Sequence, residues 1–304
     1  MKFAKNRSKF KKMMFNPHHI TNMFVAQDAL SAKIADKLGY EAIFVAGYAT
    51  SAADLSLPDR GIADFDIMLN KCREIINATN LPVFADADTG YGDLFNVART
   101  VKNYEAIGAA GIFLEDQQWP KRCGHMDGKK IEPVEVLEAK INMAVQTRKH
   151  DDFLIMSRTD ARAVEGLDAA IQRSKTYQQA GADLIFIEAP ESIAELKQIK
   201  AAFPTTPLMA NMLESGKTPD LTTNELKDLG YSLIVHPTAS VYTEMAGIKK
   251  MLTTLKETGS TKSLKNEMIT FPEFNHFVGL EKLNNFETKY NNENMQNKLT
   301  AWGI

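Results

Sequence analysis

Residues 111–125 read Gly-Ile-Phe-Leu-Glu-Asp-Gln-Gln-Trp-Pro-Lys-Arg-Cys-Gly-His, an apolar run that ends in two acids and leads into a polar segment. The run predicts a buried strand, and the segment predicts a loop that carries Lys121, Cys123 and His125. A lysine and a histidine on either side of a thiol are placed to lower its pKa and to pass on a proton. Gly124 lets a ligand approach the backbone closely. A solvated surface loop with an incidental cysteine is the alternative.

Similar apolar runs recur along the rest of the chain, where short runs rich in Ile, Val and Phe alternate with longer amphipathic segments. The candidate strands are Ile20–Val25, Ala42–Ala46, Val83–Ala87, Gly111–Glu115, Phe153–Arg158, Leu184–Glu188, Pro207–Asn211 and Ser232–His236. The helical segments between and after them lie near Ala29–Leu38, Asp66–Ala78, Asp93–Ala106, Pro133–Lys149, Leu167–Ala180, Ile193–Phe203, Thr223–Leu229 and Val241–Leu255. Eight strand–helix units predict an α/β fold of the (β/α)8 TIM-barrel type, with a doubly wound open sheet as the alternative.

Polar residues follow most of the predicted strands at the point where each strand ends. They are Ala46-Gly47-Tyr48, Asp86 with Asp88, Glu115 with Asp116, Arg158-Thr159-Asp160, Glu188, Asn211 and His236. In a barrel of this kind the active site forms at the carboxyl ends of the strands. The pattern therefore predicts one site at that mouth, beneath the loop that carries Cys123.

Composition limits the kind of partner. The chain has 304 residues, a net charge of -2 and 44% hydrophobic residues, which is typical of a soluble globular protein with no general affinity for nucleic acid or anionic membranes. Two cysteines, Cys72 and Cys123, suit a reducing compartment, and no apolar stretch approaches the length of a membrane span. We therefore expect a cytoplasmic protein that acts on a small molecule.

The first twelve residues contain six basic residues and no acid. This segment is interpreted as a solvated leader, partly disordered or helical, and a nucleic-acid arm or a surface anchor is the alternative.

Three acids at the predicted mouth suggest a metal site. Asp86 and Asp88 lie two residues apart on a segment expected to be extended, so both side chains should point to one face. Together with Glu115 they form an oxygen-only set that suits Mg²⁺, or Mn²⁺. Two acids that cap the following helix near Asp93 are the alternative. Arg158 would bind a carboxylate or stabilise an oxyanion, or would instead pair with neighbouring acids.

Four motifs then support a more specific interpretation. They are Asp86-Ala-Asp-Thr-Gly-Tyr-Gly92, Glu115-Asp-Gln with Lys121-Arg-Cys-Gly-His125, Arg158-Thr-Asp160 and Ala210-Asn-Met-Leu-Glu-Ser-Gly-Lys-Thr-Pro219. Their order and spacing closely resemble the isocitrate lyase and phosphoenolpyruvate mutase superfamily, from about Gln27 to near Tyr290. The Cys-Gly-His loop is more similar to the lyases than to the mutases.

The resemblance implies a barrel of residues 1–256 whose eighth helix is exchanged between subunits, a C-terminal helical extension of residues 257–304, and a homotetramer built as a dimer of dimers. It implies Mg²⁺ at Asp86 and Asp88, aided through water by Glu115, and a mobile gating loop around Lys121–His125. Cys123 would protonate the departing carbanion. Asp59, in Leu57-Pro-Asp-Arg-Gly61, would hold metal waters or remove the hydroxyl proton.

Within the lyases, the sequence is most similar to 2-methylisocitrate lyase and to its relatives 2,3-dimethylmalate lyase and oxaloacetate hydrolase. The expected reaction is cleavage of a 2-hydroxy di- or tricarboxylate, such as 2-methylisocitrate, to pyruvate and a second acid such as succinate. The alternatives are 2,3-dimethylmalate cleavage, hydrolysis or decarboxylation of oxaloacetate, and a non-catalytic binding barrel. The expected substrate-binding residues are Ala46, Gly47, Tyr48, Gly124, Glu188 and Asn211.

Two departures from the family pattern affect this pocket. Ala46 stands where methylisocitrate lyases usually begin a serine-led turn, and Leu213-Glu-Ser-Gly216 replaces Thr-Glu-Phe-Gly. Both changes put the substrate in doubt more than the type of reaction.

Overall fold

The computed structural model describes residues 2–290, so residues 291–304, the end of the predicted C-terminal extension, lie outside the described residues. All eight predicted strands are confirmed. They are β1 (Thr21–Val25), β2 (Ile43–Val45), β3 (Val83–Asp86), β4 (Gly111–Glu115), β5 (Leu154–Thr159), β6 (Leu184–Ile187), β7 (Met209–Asn211) and β8 (Leu233–His236).

The strands form one parallel sheet in the order β6-β5-β4-β3-β2-β1-β8-β7. The first strand therefore pairs with the last, with Phe24 beside His236. A parallel bridge between Ile185 and Leu208 links β6 to the residue before β7, which nearly closes the ring. The barrel prediction is confirmed, and the open-sheet alternative is excluded by this circular order.

Helices follow the strands as predicted, with a few short additions. The helices up to residue 258 are α1 (Lys2–Met14), α2 (Ala29–Leu38), α3 (Gly47–Thr50), a π-helical turn (Ser51–Leu55), α4 (Phe65–Ala78), α5 (Leu94–Ile107), α6 (Val134–Thr147), α7 (Ala161–Glu165), α8 (Leu167–Gln179), α9 (Ile193–Ala202), α10 (Thr223–Asp228) and α11 (Ala239–Thr258). Gly39 ends α2 in the left-handed conformation, with a φ of 83°, as its position after the amphipathic segment predicts. In residues 2–290 no helix is long and apolar enough to cross a membrane.

Strand side chains alternate between the barrel interior and the surrounding helices. On β4, Phe113 belongs to the interior, whereas Ile112 and Leu114 pack in the outer layer. Phe44 contacts two further rings of the interior, because its ring centroid lies 5.9 Å from that of Phe113 and 6.1 Å from that of Phe84. This aromatic packing fills the barrel below the strand ends and forms the floor of the site.

The basic leader is the helix α1, so the helical form of that prediction is confirmed, but the expectation that the segment is solvated is wrong because one face is buried. Phe10 of α1 is fully buried and stacks on Phe84, with ring centroids 5.4 Å apart. Arg7 pairs with Asp152, which precedes β5, at 2.8 Å. The helix thus lies at the amino ends of the strands, because burying one apolar face outweighs the exposure expected from its charges.

The chain divides into two compact units, and the second begins at Glu244. Its described part contains most of α11, a 3₁₀ turn (Lys262–Glu267), α12 (Phe271–Val278) and α13 (Leu280–Tyr290). Several of its large apolar side chains are exposed, among them Met245, Ile269 and Phe271. The assignment of residues 257–304 to a separate extension, and the exchange of a helix between subunits, remain predictions.

Candidate active site

A cavity lies at the carboxyl ends of the strands, above the aromatic floor. Its volume is about 40 Å³. The predicted site residues that line it are Ala46, Tyr48, Asp59, Asp86, Cys123, Gly124, Arg158, Glu188 and Asn211. The predicted residues Gly47, Asp88, Glu115, Lys121 and His125 surround this cavity and contact its lining through the bonds described below.

Lys121 lies at the centre of the acidic cluster. Its Nζ atom is 2.7 Å from Asp59 Oδ1 and 2.7 Å from Asp88 Oδ1, and the side chain is almost fully buried. Burial lowers the pKa of Lys121, but the surrounding carboxylates, led by Asp88 and Asp59, outweigh it and raise the pKa well above the ordinary value. The ammonium therefore stays charged and compensates the buried acids.

The two aspartates after β3 converge, but by a different backbone route from the one predicted. β3 ends at Asp86, and Asp88 has a φ of 47°, so the pair does not project from one extended segment. Instead the chain turns back, and the Asp88 N–H donates to Asp86 Oδ1 at 2.8 Å. The Gly47 N–H donates to the other oxygen of Asp86 at 3.0 Å. Asp86 is thereby oriented by two backbone donors from separate loops.

Two carboxyl groups of this cluster have pKa values above their ordinary range, mainly because they are buried. Burial, opposed by Lys121 and reinforced by Asp86 and Asp59, raises the pKa of Asp88 to about 7. Burial also raises the pKa of Glu115 well above its usual value, against the effect of Arg158. The Oε1 atom of Glu115 is buried and accepts no hydrogen bond within the described residues. A further cation would relieve both effects.

The donor chemistry therefore fits Mg²⁺, which prefers carboxylate oxygen and water. Across residues 2–290, however, no three His, Cys, Asp or Glu side chains lie together in a geometry ready to hold a metal ion. The positive charge within the cluster is the ammonium of Lys121. The assignment of Asp86, Asp88 and Glu115 as metal ligands remains a prediction.

Arg158 links the acids of three strand ends. Its guanidinium lies 3.1 Å from Glu115, 3.0 Å from Asp160 and 3.3 Å from Glu188. The pairing of Arg158 with neighbouring acids is confirmed, whereas its binding of a substrate carboxylate or an oxyanion remains a prediction for a side chain that lines the cavity. Burial would raise the pKa of Glu188, but Arg158 and then His125 outweigh it and lower the pKa to about 2. Glu188 is therefore an ionised anchor for the groups around it.

Cys123 is half-buried in the cavity wall, and the prediction of a lowered thiol pKa is wrong. Burial raises its pKa to about 11, reinforced by Asp59 and Glu188 and opposed by a backbone hydrogen bond with His125. The sequence neighbours Lys121 and His125 do not reverse this effect, because each is engaged by carboxylates of its own. The thiol is therefore protonated near neutral pH, which suits a proton donor and not a nucleophile.

Gly124 is required by close packing. A Cβ atom at this position would lie 2.4 Å from Glu188 Cδ, so any other residue would displace the loop. The close approach predicted for this glycine is real, but the group that approaches is a glutamate of the protein. The neighbouring His125 places Nε2 3.1 Å from Glu188 and accepts the Lys217 N–H at Nδ1, 3.0 Å away.

Two groups of the site were not identified from the sequence. Lys129 is buried, donates to the Gly124 carbonyl and lies 3.0 Å from Asp160, yet nothing local distinguishes it from Lys130. Tyr242 places its hydroxyl 3.0 Å from that of Tyr48, at the side of the cavity. A contact across 194 residues leaves no signal in a single sequence.

A (β/α)8 barrel with carboxylates, a guanidinium and a half-buried thiol at its carboxyl mouth has the architecture of a TIM-barrel enzyme. The family described as phosphoenolpyruvate phosphomutase matches residues 10–256. The chain belongs to this family, within the phosphoenolpyruvate mutase and isocitrate lyase superfamily.

Individual relatives agree with this assignment. The chain is 45% identical to 2,3-dimethylmalate lyase of Eubacterium barkeri, over 87% of this chain and 91% of the relative. It is 39% identical to 2-methylisocitrate lyase of Escherichia coli strain K12, over 89% of this chain and 92% of the relative. The structure of oxaloacetate acetylhydrolase with the inhibitor 3,3-difluorooxalacetate is similar with a TM-score of 0.88 and 30% identity, covering 93% of this chain and 96% of that one. The protein is an enzyme of the carbon–carbon lyase type.

Proposed function

We propose that the protein is a Mg²⁺-dependent lyase that cleaves a 2-hydroxy dicarboxylate or tricarboxylate into an α-keto acid and a second acid. The observation that carries this proposal is that the half-buried thiol of Cys123 lines the same cavity as Arg158 and Asp86, where its surroundings raise its pKa and keep it protonated. A retro-aldol cleavage leaves a carbanion that must take up a proton, and a neutral thiol in a closed cavity is suited to supply it.

The steps balance with the groups at hand. A carboxylate, which we assign to Asp59, removes the proton of the substrate hydroxyl. The electrons of the broken carbon–carbon bond pass to the departing acid, whose carbon takes the proton from Cys123. The electrons left on the hydroxyl oxygen form the carbonyl of the α-keto acid. The proton taken up by Asp59 is released, and the Cys123 thiolate takes up one proton from solvent, so both groups are restored before the next turnover.

Charge stabilisation comes from the remaining groups. Arg158 would bind a substrate carboxylate and stabilise the oxyanion that forms from the hydroxyl. When bound, Mg²⁺ would be held by Asp86 and Asp88, with Glu115 acting through water, and would supply Lewis-acid stabilisation of that oxyanion.

The cavity lining favours a short dicarboxylate over a tricarboxylate. Arg158 is the one cationic side chain in the described lining, and three protein carboxylates already face it. The lining also contains the apolar residues Leu213, Val235 and Pro237, which suit alkyl substituents. A third substrate carboxylate would have no cation of its own there, at a cost of several kcal/mol. Alkyl-substituted malates and oxaloacetate are therefore preferred to 2-methylisocitrate.

The test is to incubate the protein and Mg²⁺ separately with 2,3-dimethylmalate, oxaloacetate and 2-methylisocitrate, and to measure formation of α-keto acid or loss of oxaloacetate. We expect faster turnover of a dicarboxylate. Faster cleavage of 2-methylisocitrate would contradict the substrate argument, and no turnover of any of the three would favour a non-catalytic barrel.

Two variants test the assigned roles. Cys123→Ser should retain binding of Mg²⁺ and substrate but lose most turnover, whereas Cys72→Ala, at a fully buried thiol of the outer core, serves as the matched control. Near-full activity of Cys123→Ser would remove the thiol from the mechanism. Asp86→Ala should lose activity and metal dependence together. Metal-independent turnover in the parent protein would contradict the assignment of Mg²⁺ to the mechanism.

We also propose that the protein assembles as a dimer of dimers with an exchanged helix. The support is the exposure of Met245, Ile269 and Phe271, at 70%, 72% and 82%, in the second compact unit. Large apolar side chains exposed in this way are typical of a protein–protein interface. Light scattering after size exclusion should give a tetramer, and Phe271→Glu should shift it toward smaller species. A parent protein that runs as a 33.9 kDa monomer would refute the proposal.

A further inference from the structure

Trp119 makes a contact that the proposed mechanism does not use. It lies at the start of the segment that leads to Cys123, and 49% of its surface is exposed. The edge of its ring nevertheless presses on Gly61, because a Cβ atom added there would lie 2.7 Å from Cη2 and 2.9 Å from Cζ2. Trp119 does not line the cavity of the active site.

A second contact joins the same two segments, two residues after Trp119 on one segment and two residues before Gly61 on the other. Lys121 Nζ bonds Asp59 Oδ1 at 2.7 Å, so Trp119 and Lys121 engage Gly61 and Asp59 respectively. The first contact is apolar and lies at the surface, whereas the second is an ion pair inside the cluster. The same two chain segments are thus joined both outside and inside the site.

Residues 117–122, which include Trp119 and Lys121, form a turn whose two ends are joined by hydrogen bonds. The Gln117 side chain accepts the Arg122 N–H at 3.0 Å and donates to the Arg122 carbonyl at 2.8 Å. Trp119 and Lys121 both lie between these two bonded residues, so we expect a displacement of Trp119 from Gly61 to move Lys121 with it. Cys123 follows immediately after this turn.

We propose that Trp119, packed on Gly61, is a positioning residue that holds the Cys123 loop closed over the active site. Glycine at 61 serves two purposes in this contact, since its φ of 69° is in the left-handed region and its missing side chain makes room for the ring. The functional importance of closure rests on the proposed lyase mechanism, but closure itself is measurable without any substrate.

The experiment measures the rate at which iodoacetamide alkylates Cys123, followed by peptide mass spectrometry at fixed pH. Cys72 is fully buried and serves as the internal reference. Trp119→Leu should accelerate alkylation of Cys123 about fivefold, a size typical of losing one packed aromatic contact from an opening equilibrium. Trp119→Phe should lie between this variant and the parent, and the thermal midpoint should change little in both.

Gly61→Ala disrupts the same contact from the Gly61 side, because the added Cβ atom would displace the Trp119 ring, and it should also accelerate alkylation of Cys123. This second variant tests the proposal if Trp119→Leu folds poorly. Phe95→Leu is the matched control, since Phe95 is an aromatic residue that is 89% exposed, and its alkylation rate should equal that of the parent. Unchanged Cys123 reactivity in well-folded Trp119→Leu and Gly61→Ala would overturn the proposal. Because this readout requires no turnover, a failure of the lyase assignment would appear separately, as inactivity of the parent on every substrate tested.

Discussion

The pKa of the Cys123 thiol gives the most direct quantitative prediction. The thiol of an ordinary cysteine has a pKa of 9.0, whereas burial raises the pKa of Cys123 to about 11. At pH 8 the thiolate fraction therefore falls from about 10% to about 0.1%, a factor of about 100. We expect Cys123 in the native protein to react with iodoacetamide about 100 times more slowly than the same residue in the unfolded chain.

The assay follows the alkylation rate of Cys123 from pH 7 to pH 11.5, with Cys123→Ser as the blank. The rate should rise throughout this range and show no plateau below about pH 10. If the thiol is the proton donor, lyase turnover should follow the opposite course, because the protonated form is active and is lost as the pH rises through the thiol pKa.

An inflection at or below pH 9 would refute this reasoning. Such a result would mean that Lys121 and His125 act on the thiol more strongly than burial does. Cys123 would then be a thiolate at working pH, and the proton donor would have to be another group.

Three further predictions concern the groups around the thiol and the barrel beneath it. Arg158→Met should lower the free energy of unfolding by about 3–5 kcal/mol, because it leaves buried carboxylates without a counter-ion, and the loss should shrink as the pH falls and those acids take up protons. Arg162→Met, at a guanidinium paired with Glu191 and Glu195 nearer the surface, should cost about 1 kcal/mol or less, and an equal loss in the two variants by denaturant unfolding would contradict the assignment. Phe10→Ala should cost about 3–5 kcal/mol by opening a cavity under the barrel, whereas Phe95→Ala should stay within about 0.5 kcal/mol, and a tolerant Phe10 would mean that α1 is not part of the core. Mg²⁺ at about 100 times its dissociation constant should stabilise the parent by about 2.7 kcal/mol and should leave Asp86→Ala unchanged, and equal stabilisation of both would argue against Asp86 as a ligand.

Much of the fold follows from patterns that lie close together in the sequence. Each apolar run of about five residues with a polar residue at its end is a complete local signal for one strand and one site position. This is why Asp86, Glu115, Arg158 and Glu188 were predicted to meet at one mouth, and they do.

The buried face of α1 has a signal in the sequence. Phe10, Met13 and Met14 have the helical spacing of a buried face, and all three are buried, but the basic residues between them favoured a solvated segment. The turn that brings Asp88 close to Asp86 has no such signal in the sequence. The left-handed conformation of Asp88 depends on the hydrogen bonds of the turn, such as that from the Asp88 N–H to Asp86 Oδ1, and these form only in the folded chain.

By itself, the sequence determined the eight strand–helix units and the chemistry available at their ends, because both depend on residue types over a few neighbouring positions. The tertiary structure alone decided the charge state of that chemistry. The pKa values of Cys123 and Asp88 depend on burial and on charges such as Lys121 and Asp59, which come from separate segments of the chain. Such distances and dielectric surroundings exist only in the folded barrel. The sequence around Cys123 therefore predicts an activated thiol, whereas in the folded protein the thiol is protonated.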